Sequence, residues 1–367
     1  MKILHVYKDF DPPVHGGMER HLALMCKLQS ETEEVEALTC SRSRHTRSVV
    51  RDGITVTEVG EWGRFQGAPI SPRFPHYLKR AEADVIVIHT PNPTAEIAWR
   101  LARPRAKLIV RYQSDVVRQA TAMRFYGASF RSFLQRADRI LVASERYLET
   151  SSYLQPVKER CQVIPLGILP GDFAEPEENA VVGLRETYGG RFVLFAGRHR
   201  YYKGLDILLN AAPAIRASVV IAGDGPERAR LRQLASSIDA SVFFPGTLTH
   251  QELVNHLHAC EIFVLPSVER SEAFGVAILE AHACGKPVVA TRLGTGVEYA
   301  NMDGVTGINV EPRDPDALAS AINSLLEDRD RAIALGHAAR ERVRRDFDAR
   351  NVAQAELAVY REALSCK

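Results

Sequence analysis

The chain has 367 residues, of which 46% are hydrophobic and 25% are charged, as is ordinary for a soluble globular protein. This length predicts two domains, and no apolar run approaches the roughly 18 residues that a membrane-spanning helix needs. The six cysteines are scattered without short spacings, so they indicate reduced packing residues and exclude a disulfide framework or a zinc site. We expect a cytoplasmic protein without a secretion signal.

The net charge of +2 conceals two oppositely charged halves. Residues 1–170 contain 25 Lys and Arg against 18 Asp and Glu, whereas the remainder contains 22 against 27. The positive half could attract an anionic acceptor molecule or the anionic inner face of a membrane, although a solvated surface explains any single arginine equally well. No nucleic-acid partner is expected.

The chain opens with a predicted strand, Lys2–Tyr7, followed by a loop rich in Pro and Gly, Asp9–Met18, and a helix, Glu19–Leu28. The loop lacks the G-x-G-x-x-G fingerprint, which disfavours an NAD-binding protein. Gly16 and Gly17 would let a phosphate or a sugar approach the backbone closely. The alternative is a flexible turn that binds nothing.

Three further strands are predicted in the first half, at Val35–Thr39, Ile54–Val59 and Asp84–His89, with a polar basic loop, Ser41–Arg51, between the first two. The third is apolar until its last residue, which places the His89 imidazole at the carboxyl edge of a parallel sheet, where such sheets bind ligands. The alternative is a hydrogen-bonded structural histidine.

A helix is predicted over 118–136, after a strand at Lys107–Tyr112. Tyr126, Phe130 and Phe133 share one helical face, and Arg124 and Arg131 lie seven residues apart. Such a helix could lie on an anionic bilayer, or its aromatic residues could belong to the core.

A loop-like stretch, 167–179, predicts a domain boundary, and strands at Phe192–Ala196, Val219–Ala222 and Val242–Phe244 follow it. Alternating strands and helices on both sides of this boundary predict an α/β protein with two doubly wound, Rossmann-like domains. Arg198 and Lys203 occupy one loop after the first of these strands. They could converge on a diphosphate, or each could be a surface charge.

Residues 261–291 predict a strand, a polar loop, a helix from Phe274 to Gly285 and a second strand. The first-turn N–H groups of Phe274, Gly275 and Val276 would have no intrahelical acceptors, and with the helix dipole they suit a phosphate. Glu272 and Glu280 frame this turn. The alternative is one acid that stabilises the dipole and one solvated glutamate.

The run from Ser271 to Ala290, SEAFGVAILEAHACGKPVVA, resembles the signature of the retaining family-4 (group 1) glycosyltransferases of the GT-B fold. The segment RYQSDVVRQ, from Arg111 to Gln119, is similar to one in bacterial surface-polysaccharide mannosyltransferases. The resemblance implies two Rossmann-like domains that face each other across a cleft. The acceptor-side domain would comprise 1–170 and a C-terminal helix at about 350–367, and the donor-binding domain would comprise 171–349.

The same resemblance implies roles for single residues. Glu272 would hold the donor sugar and Glu280 the nucleotide ribose. The implied diphosphate-binding groups are Arg198, Lys203 and the backbone at Ala273, Phe274, Gly275 and Val276, and Gly246 and Thr247 would line the base pocket. Gly16 and Gly17 would face donor and acceptor, and His89 would contact the transferred sugar. His89, Arg198, Lys203 and Glu272 form the expected catalytic set.

The expected reaction moves a sugar from a nucleotide diphosphate to a hydroxyl of a glycan or lipid-linked acceptor with retention at the anomeric carbon. GDP-mannose is favoured as donor, and UDP-sugars remain open. The four scattered D-x-D pairs make a poor Mg²⁺ site, so neither a metal nor a cofactor is expected. The alternatives are a nucleotide-sugar epimerase on the same fold and a non-catalytic sugar-nucleotide-binding partner of another transferase.

Overall fold

The computed structural model describes residues 1–14, 16–65, 67–115 and 120–365, with the backbone alone for 120–125. Strands and helices alternate along most of the chain. The first half contains β1 (Lys2–Val6), α1 (Gly17–Gln29), β2 (Glu34–Ser41), β3 (Arg47–Arg51), β4 (Ile54–Gly60), β5 (Gly63–Phe65), β6 (Ala68–Ile70), α2 (Phe74–Arg80), β7 (Val85–Thr90), α3 (Pro93–Ala102), β8 (Lys107–Tyr112), α4 (Ala120–Leu134), β9 (Arg139–Val142), α5 (Glu145–Thr150) and β10 (Cys161–Val163).

The second half continues the alternation. It contains α6 (Glu178–Thr187), β11 (Phe192–Ala196), α7 (Leu205–Ala211), β12 (Ser218–Ala222), α8 (Arg228–Ala235), β13 (Val242–Gly246), α9 (His250–Ala259), β14 (Ile262–Leu265), α10 (Val276–Ala283), β15 (Val288–Thr291), α11 (Gly296–Ala300), β16 (Gly307–Val310), α12 (Pro315–Glu327), α13 (Arg329–Asp346) and α14 (Ala349–Ser365). The chain divides into two compact units, one of Met1–Gly167 with Ala349–Lys367 and one of Ile168–Asp348. The last helix, α14, therefore belongs to the first unit.

The first unit is built on an eight-stranded sheet in the order β10-β9-β8-β7-β1-β2-β4-β3. All its neighbouring strands are parallel except β3, which runs antiparallel to β4. Every residue of β7 is buried, as expected of a central parallel strand covered on both faces. Sequence order reverses between β1 and β7, because β1 pairs with β2 on one side and with β7 on the other.

The predicted basic loop at 41–51 is wrong, because its second half forms the edge strand β3. Arg47 donates from Nε to Glu58 Oε2 on β4 at 2.5 Å, and Arg51 bonds the other oxygen of the same carboxylate. An edge strand faces solvent and tolerates charged side chains, which also discourage pairing with another chain. Polarity alone therefore cannot distinguish such a strand from a loop.

The second unit is built on six parallel strands in the order β13-β12-β11-β14-β15-β16. Sequence order reverses here between β11 and β14, which are hydrogen-bonded neighbours. Every residue of β14 and β15 is buried, and their continuous apolar runs explain why the sequence predicts them well. The helices that connect the strands cover the two faces of the sheet, as in doubly wound folds.

The helix predicted over 118–136 is α4, but Arg118 lies outside the described residues, as does the side chain of Arg124. Phe130 and Phe133 are 2% and 0% exposed, so both belong to the core of the first unit. The structure does not support a membrane-facing role for these two rings. Within the described residues, no helix combines the length and the apolar character needed to cross a bilayer.

Candidate functional site

Three of the predicted site residues of the second unit follow two neighbouring strands, β11 and β14. Arg198 and Lys203 lie in the loop after β11, and Glu272 lies in the loop after β14. In open parallel sheets, ligands bind outside the carboxyl ends of the strands where the strand order reverses. The sheet order places the β11 and β14 loops at such a reversal.

Lys203 and Glu272 form an ion pair between these two loops. Lys203 Nζ donates to Glu272 Oε2 at 2.5 Å, and Ser267 Oγ donates to the same oxygen at 3.0 Å. Burial lowers the pKa of Lys203, but Glu272, Tyr202 and Glu280 together outweigh burial and raise that pKa above its ordinary value. Lys203 is therefore charged, and in this structure it pairs with an acid.

Backbone contacts hold the two loops against each other. Gly204 has a φ of +64°, and a Cβ at this position would lie 2.0 Å from the Pro266 carbonyl oxygen. The Val268 amide donates to the Tyr202 carbonyl at 2.8 Å. Only glycine satisfies both the left-handed conformation and the close approach. The position of Lys203 relative to Glu272 is therefore set by the backbone.

The helix after Glu272 begins at Val276, two residues later than predicted. Gly275 precedes it with a φ of +79°, and the Ile278 amide donates back to the Gly275 carbonyl at 2.8 Å. The amides of Phe274 and Gly275 thus lie before the first turn, and those of Val276 and Ala277 lie within it without intrahelical acceptors. The predicted helix start at Phe274 is wrong by two residues, whereas the role of the Phe274, Gly275 and Val276 amides at a diphosphate stays a prediction.

The remaining predicted site residues of this unit differ in their exposure to solvent. Glu280 is half-buried one turn into α10, and its charge contributes to raising the pKa of Lys203. Arg198 and Thr247 are exposed, and Gly246 is buried at the end of β13. The sequence predicts an acid pair and a separate cationic pair. The structure instead brings Lys203 to Glu272.

Phe274 and Ala273 contact other parts of the second unit. Phe274 is 3% exposed, and its ring lies 6.0 Å from that of Phe347 on a centroid basis. The Ala273 carbonyl accepts from the Gly296 amide at 2.8 Å, and Thr295 Oγ1 donates to the Glu272 carbonyl at 2.9 Å. These contacts anchor the loop that carries Glu272. The sequence pattern does not reveal Thr295 as a partner.

His89 is the penultimate residue of β7 in the first unit, and a buried chain of hydrogen bonds holds its side chain. Gln29 Nε2 donates to Glu356 Oε2 at 2.9 Å, which leaves Gln29 Oε1 to accept from His5 Nε2 at 2.8 Å. His5 Nδ1 must then accept from His89 Nε2, 3.1 Å away, and His89 Nδ1 accepts from Gln113 Nε2 at 2.8 Å. Both ring nitrogens of His89 are therefore occupied, in one defined tautomer.

Burial lowers the pKa of His89 well below its ordinary value and that of His5 to about 4, so both rings are neutral at pH 7. At its other end, this hydrogen-bond network reaches Glu356 on α14. Oε1 of Glu356 lies 3.4 Å from Arg111 Nε. The sequence analysis missed this network. The sequence signal for it was His5, a polar residue among the apolar residues Ile3, Leu4 and Val6 of β1.

Gly16 and Gly17 follow β1, which neighbours β7, so their loop and His89 also lie on either side of a strand-order reversal. A Cβ at Gly17 would meet no atom within 4 Å, whereas one at Gly16 would lie 2.2 Å from Glu19 Oε2. The space at Gly17 is consistent with the close approach of a ligand.

Comparison with known proteins identifies the two halves separately. Residues 16–167 match the family model described as "Glycosyl transferase 4-like domain", and residues 178–342 match the one described as "Glycosyl transferases group 1". The chain is 33% identical to O-antigen chain mannosyltransferase C of Escherichia coli over 100% of both chains. It is also 33% identical to D-rhamnosyltransferase WbpZ of Pseudomonas aeruginosa over 95% of this chain and 93% of that protein.

A solved structure shows the same fold over the whole chain. HepE from Anabaena, determined in complex with UDP, superposes with a TM-score of 0.80 over 99% of this chain and 100% of HepE, at 20% sequence identity. At that identity the likeness shows the fold alone. It confirms the predicted α/β fold class with two Rossmann-like domains.

Proposed function

Because this chain belongs to the group 1 glycosyltransferases and has their two-domain GT-B fold, we propose that it transfers mannose from GDP-mannose to a hydroxyl group of a glycan or lipid-linked acceptor in surface-polysaccharide synthesis. A relative that matches over its whole length is named O-antigen chain mannosyltransferase C, and another is named a D-rhamnosyltransferase; D-rhamnose is a deoxy form of mannose. The acceptor would be met at the inner face of the membrane.

The observation that carries this proposal is the pairing of Lys203 with Glu272 beside the first turn of α10. In the reaction, the bond from the anomeric carbon to the diphosphate oxygen breaks, and negative charge collects on the departing nucleoside diphosphate. Lys203, Arg198 and the amides of Val276 and Ala277 would stabilise that charge. Preorganised donors of this kind supply a large share of many rate enhancements.

When the donor binds, Lys203 would contact its diphosphate and Glu272 would contact its sugar. The Lys203 ammonium carries three N–H donors, so it can bond a phosphate oxygen and still contact Glu272. The Glu272 carboxylate accepts from Ser267 and Lys203 and retains lone pairs for sugar hydroxyls. The acceptor oxygen would bond to the anomeric carbon on the face that the diphosphate leaves, and its proton would pass to the diphosphate. Retention results without a protein nucleophile.

Two single variants test these assignments. We expect Lys203→Met to lower kcat/KM for GDP-mannose about 100-fold or more, by analogy with the loss of an oxyanion donor, and to weaken GDP binding in calorimetry. We expect Glu272→Gln to lower turnover while GDP affinity changes little, because the acid is assigned to the sugar. Lys27→Met, at an exposed lysine on α1, is the control. Unchanged turnover in both site variants would contradict the proposal.

A further inference from the structure

Five large apolar side chains are exposed on one part of the first unit. Trp62, Phe65 and Ile70 belong to the segment that forms the β5–β6 hairpin and are 71%, 65% and 50% exposed. Ile97 and Leu101 lie on α3 and are 49% and 68% exposed. Single exposed apolar residues are common on soluble proteins, but a continuous group of this size marks an interaction surface.

The hairpin and α3 are in direct contact. Thr94 Oγ1, in the first turn of α3, donates to the carbonyl of Pro69 on β6. Ile97 lies one turn beyond Thr94 and Leu101 lies one turn beyond Ile97, so both continue along the helix from the hairpin contact. We call Trp62, Phe65, Ile70, Ile97 and Leu101 the hairpin–α3 surface.

Pairing within the hairpin explains why Phe65 and Ile70 face outward. Arg64 bonds both carboxylate oxygens of Asp9 at 2.8 Å, so its side chain points into the unit. Side chains alternate along a strand, and Phe65 therefore points the opposite way. The Trp62 amide donates to the Ile70 carbonyl at 2.8 Å, which fixes the backbone of Trp62 at the base of the hairpin, next to Gly63, the register partner of Ile70.

The surroundings of the hairpin–α3 surface are positively charged. Arg73 follows the hairpin, and Arg100, Arg103 and Arg105 lie at the end of α3 and just beyond it; all four are exposed. The carboxylate on α3, Glu96, is 2% exposed, and burial raises its pKa to about 8, so it adds little negative charge at pH 7. Exposed aromatic residues with arginines beside them suit the interface of an anionic bilayer.

We propose that the hairpin–α3 surface docks the first unit on an anionic membrane leaflet, with Trp62 and Phe65 entering the headgroup region. A second copy of this chain is a poorer occupant, because a self-complementary contact would bring the flanking arginines of both copies together. This inference rests on the proposed function in one respect: a lipid-linked acceptor explains why the protein would bind a membrane.

The test uses the full chain with two kinds of vesicle, phosphatidylcholine alone and phosphatidylcholine mixed with phosphatidylglycerol. The chain has two tryptophans, and because Trp99 is 8% exposed, a change in emission on docking reports mainly Trp62. We expect sedimentation with the mixed vesicles at low salt and a blue shift of tryptophan emission. We expect the double variant Trp62→Ser, Phe65→Ser to weaken vesicle binding roughly tenfold or more, since two large apolar groups leave the membrane.

Val182→Ser, at a residue of α6 in the second unit that is 54% exposed, is the matched control and keeps full vesicle binding. Failure of the wild-type chain to sediment, or equal binding by the double variant, overturns the proposal. A concentration-dependent dimer that the double variant abolishes also overturns it, in favour of self-association. GDP calorimetry on the same variant reports on the donor site separately, so failure of membrane docking and failure of the proposed function give different results.

Discussion

His89 lies near the carboxyl end of β7, where the sequence places it, and hydrogen bonds that the sequence does not reveal hold its imidazole. The sequence predicts that His89 lies at the ligand-binding edge of the sheet and contacts the transferred sugar. In the structure it is 2% exposed, and both of its ring nitrogens are hydrogen-bonded. The predicted contact stays a prediction, and it requires Gln113 to release His89 Nδ1 when a sugar binds.

A second buried titratable residue, Glu96 on α3, makes stability depend on pH. Its Oε1 accepts from the Asn92 amide at 2.8 Å, and burial raises its pKa from 4.5 to about 8. The folded state therefore holds this proton more tightly than the unfolded state, so the contribution of Glu96 to stability falls as pH rises from 4.5 to 8. We expect Glu96→Gln to stabilise the protein by about 2 kcal/mol at pH 7, with the gain largely lost at pH 5.

Thermal unfolding of both proteins at pH 5, 7 and 8 measures this difference. Glu149→Gln, at an exposed carboxylate on α5, is the control and should show no such trend. A Glu96→Gln effect that is the same at all three pH values would mean that the carboxyl group is already ionised in the folded protein.

Among the helices, α10 shows how one glycine sets the position of a ligand-binding turn. A helix begins where backbone dihedrals become right-handed, and the φ of +79° at Gly275 delays this point until Val276. The apolar pattern from Phe274 onward is compatible with either start, because Phe274 is buried in both cases. The first-turn amides are therefore displaced from where hydrophobic pattern predicts them.

Gly275→Ala tests the importance of this turn. A Cβ at residue 275 would lie 2.9 Å from Ile278 Cδ1 and 3.0 Å from Leu265 Cδ2, and left-handed dihedrals cost a non-glycine residue roughly 1–2 kcal/mol. We expect a lower melting temperature and weaker GDP binding in calorimetry. Gly183→Ala on α6 is the matched control: its Cβ would meet nothing within 4 Å, and a gain in helix stability is expected. Equal GDP binding by Gly275→Ala and wild type would show that the turn tolerates the change.

The two units share one arrangement. In each, predicted site residues follow two neighbouring strands between which the sequence order of the sheet reverses. The donor is assigned to the second unit, and its binding should stabilise the fold. We expect GDP to raise the melting temperature more than UDP at equal concentration, because GDP-mannose is the proposed donor and the nucleotide with the lower Kd stabilises more. A ligand at 100 times its Kd adds about 2.7 kcal/mol.

The same melting measurement in the presence of a chelator tests whether nucleotide binding needs a metal ion. We expect EDTA to change neither the GDP-induced shift nor turnover, because Lys203, Arg198 and helix amides are assigned to the diphosphate. A larger shift with UDP would redirect the donor assignment, and a chelator-sensitive shift would show that a cation takes part.

Most strands and the fold class could be predicted from the residues alone. Continuous apolar runs such as Phe192–Ala196 and Ile262–Leu265 can be buried only as central strands, and alternation with helices then requires a parallel sheet. The loops that carry Arg198, Lys203 and Glu272 were also predictable, since they follow those strands directly. The edge strand β3 was not, because its charged residues satisfy a loop equally well.

The pairings within the sites depend on strand order, which local patterns do not contain. Lys203 meets Glu272 across 69 residues, and Gln29 meets Glu356 across 327, because the folded sheets and α14 bring distant segments together. Local residue patterns were thus sufficient for most strands and for the family. Which acid neutralises which cation, and which tautomer His89 adopts, depend on long-range packing and burial, since both are set by neighbours that are remote along the chain.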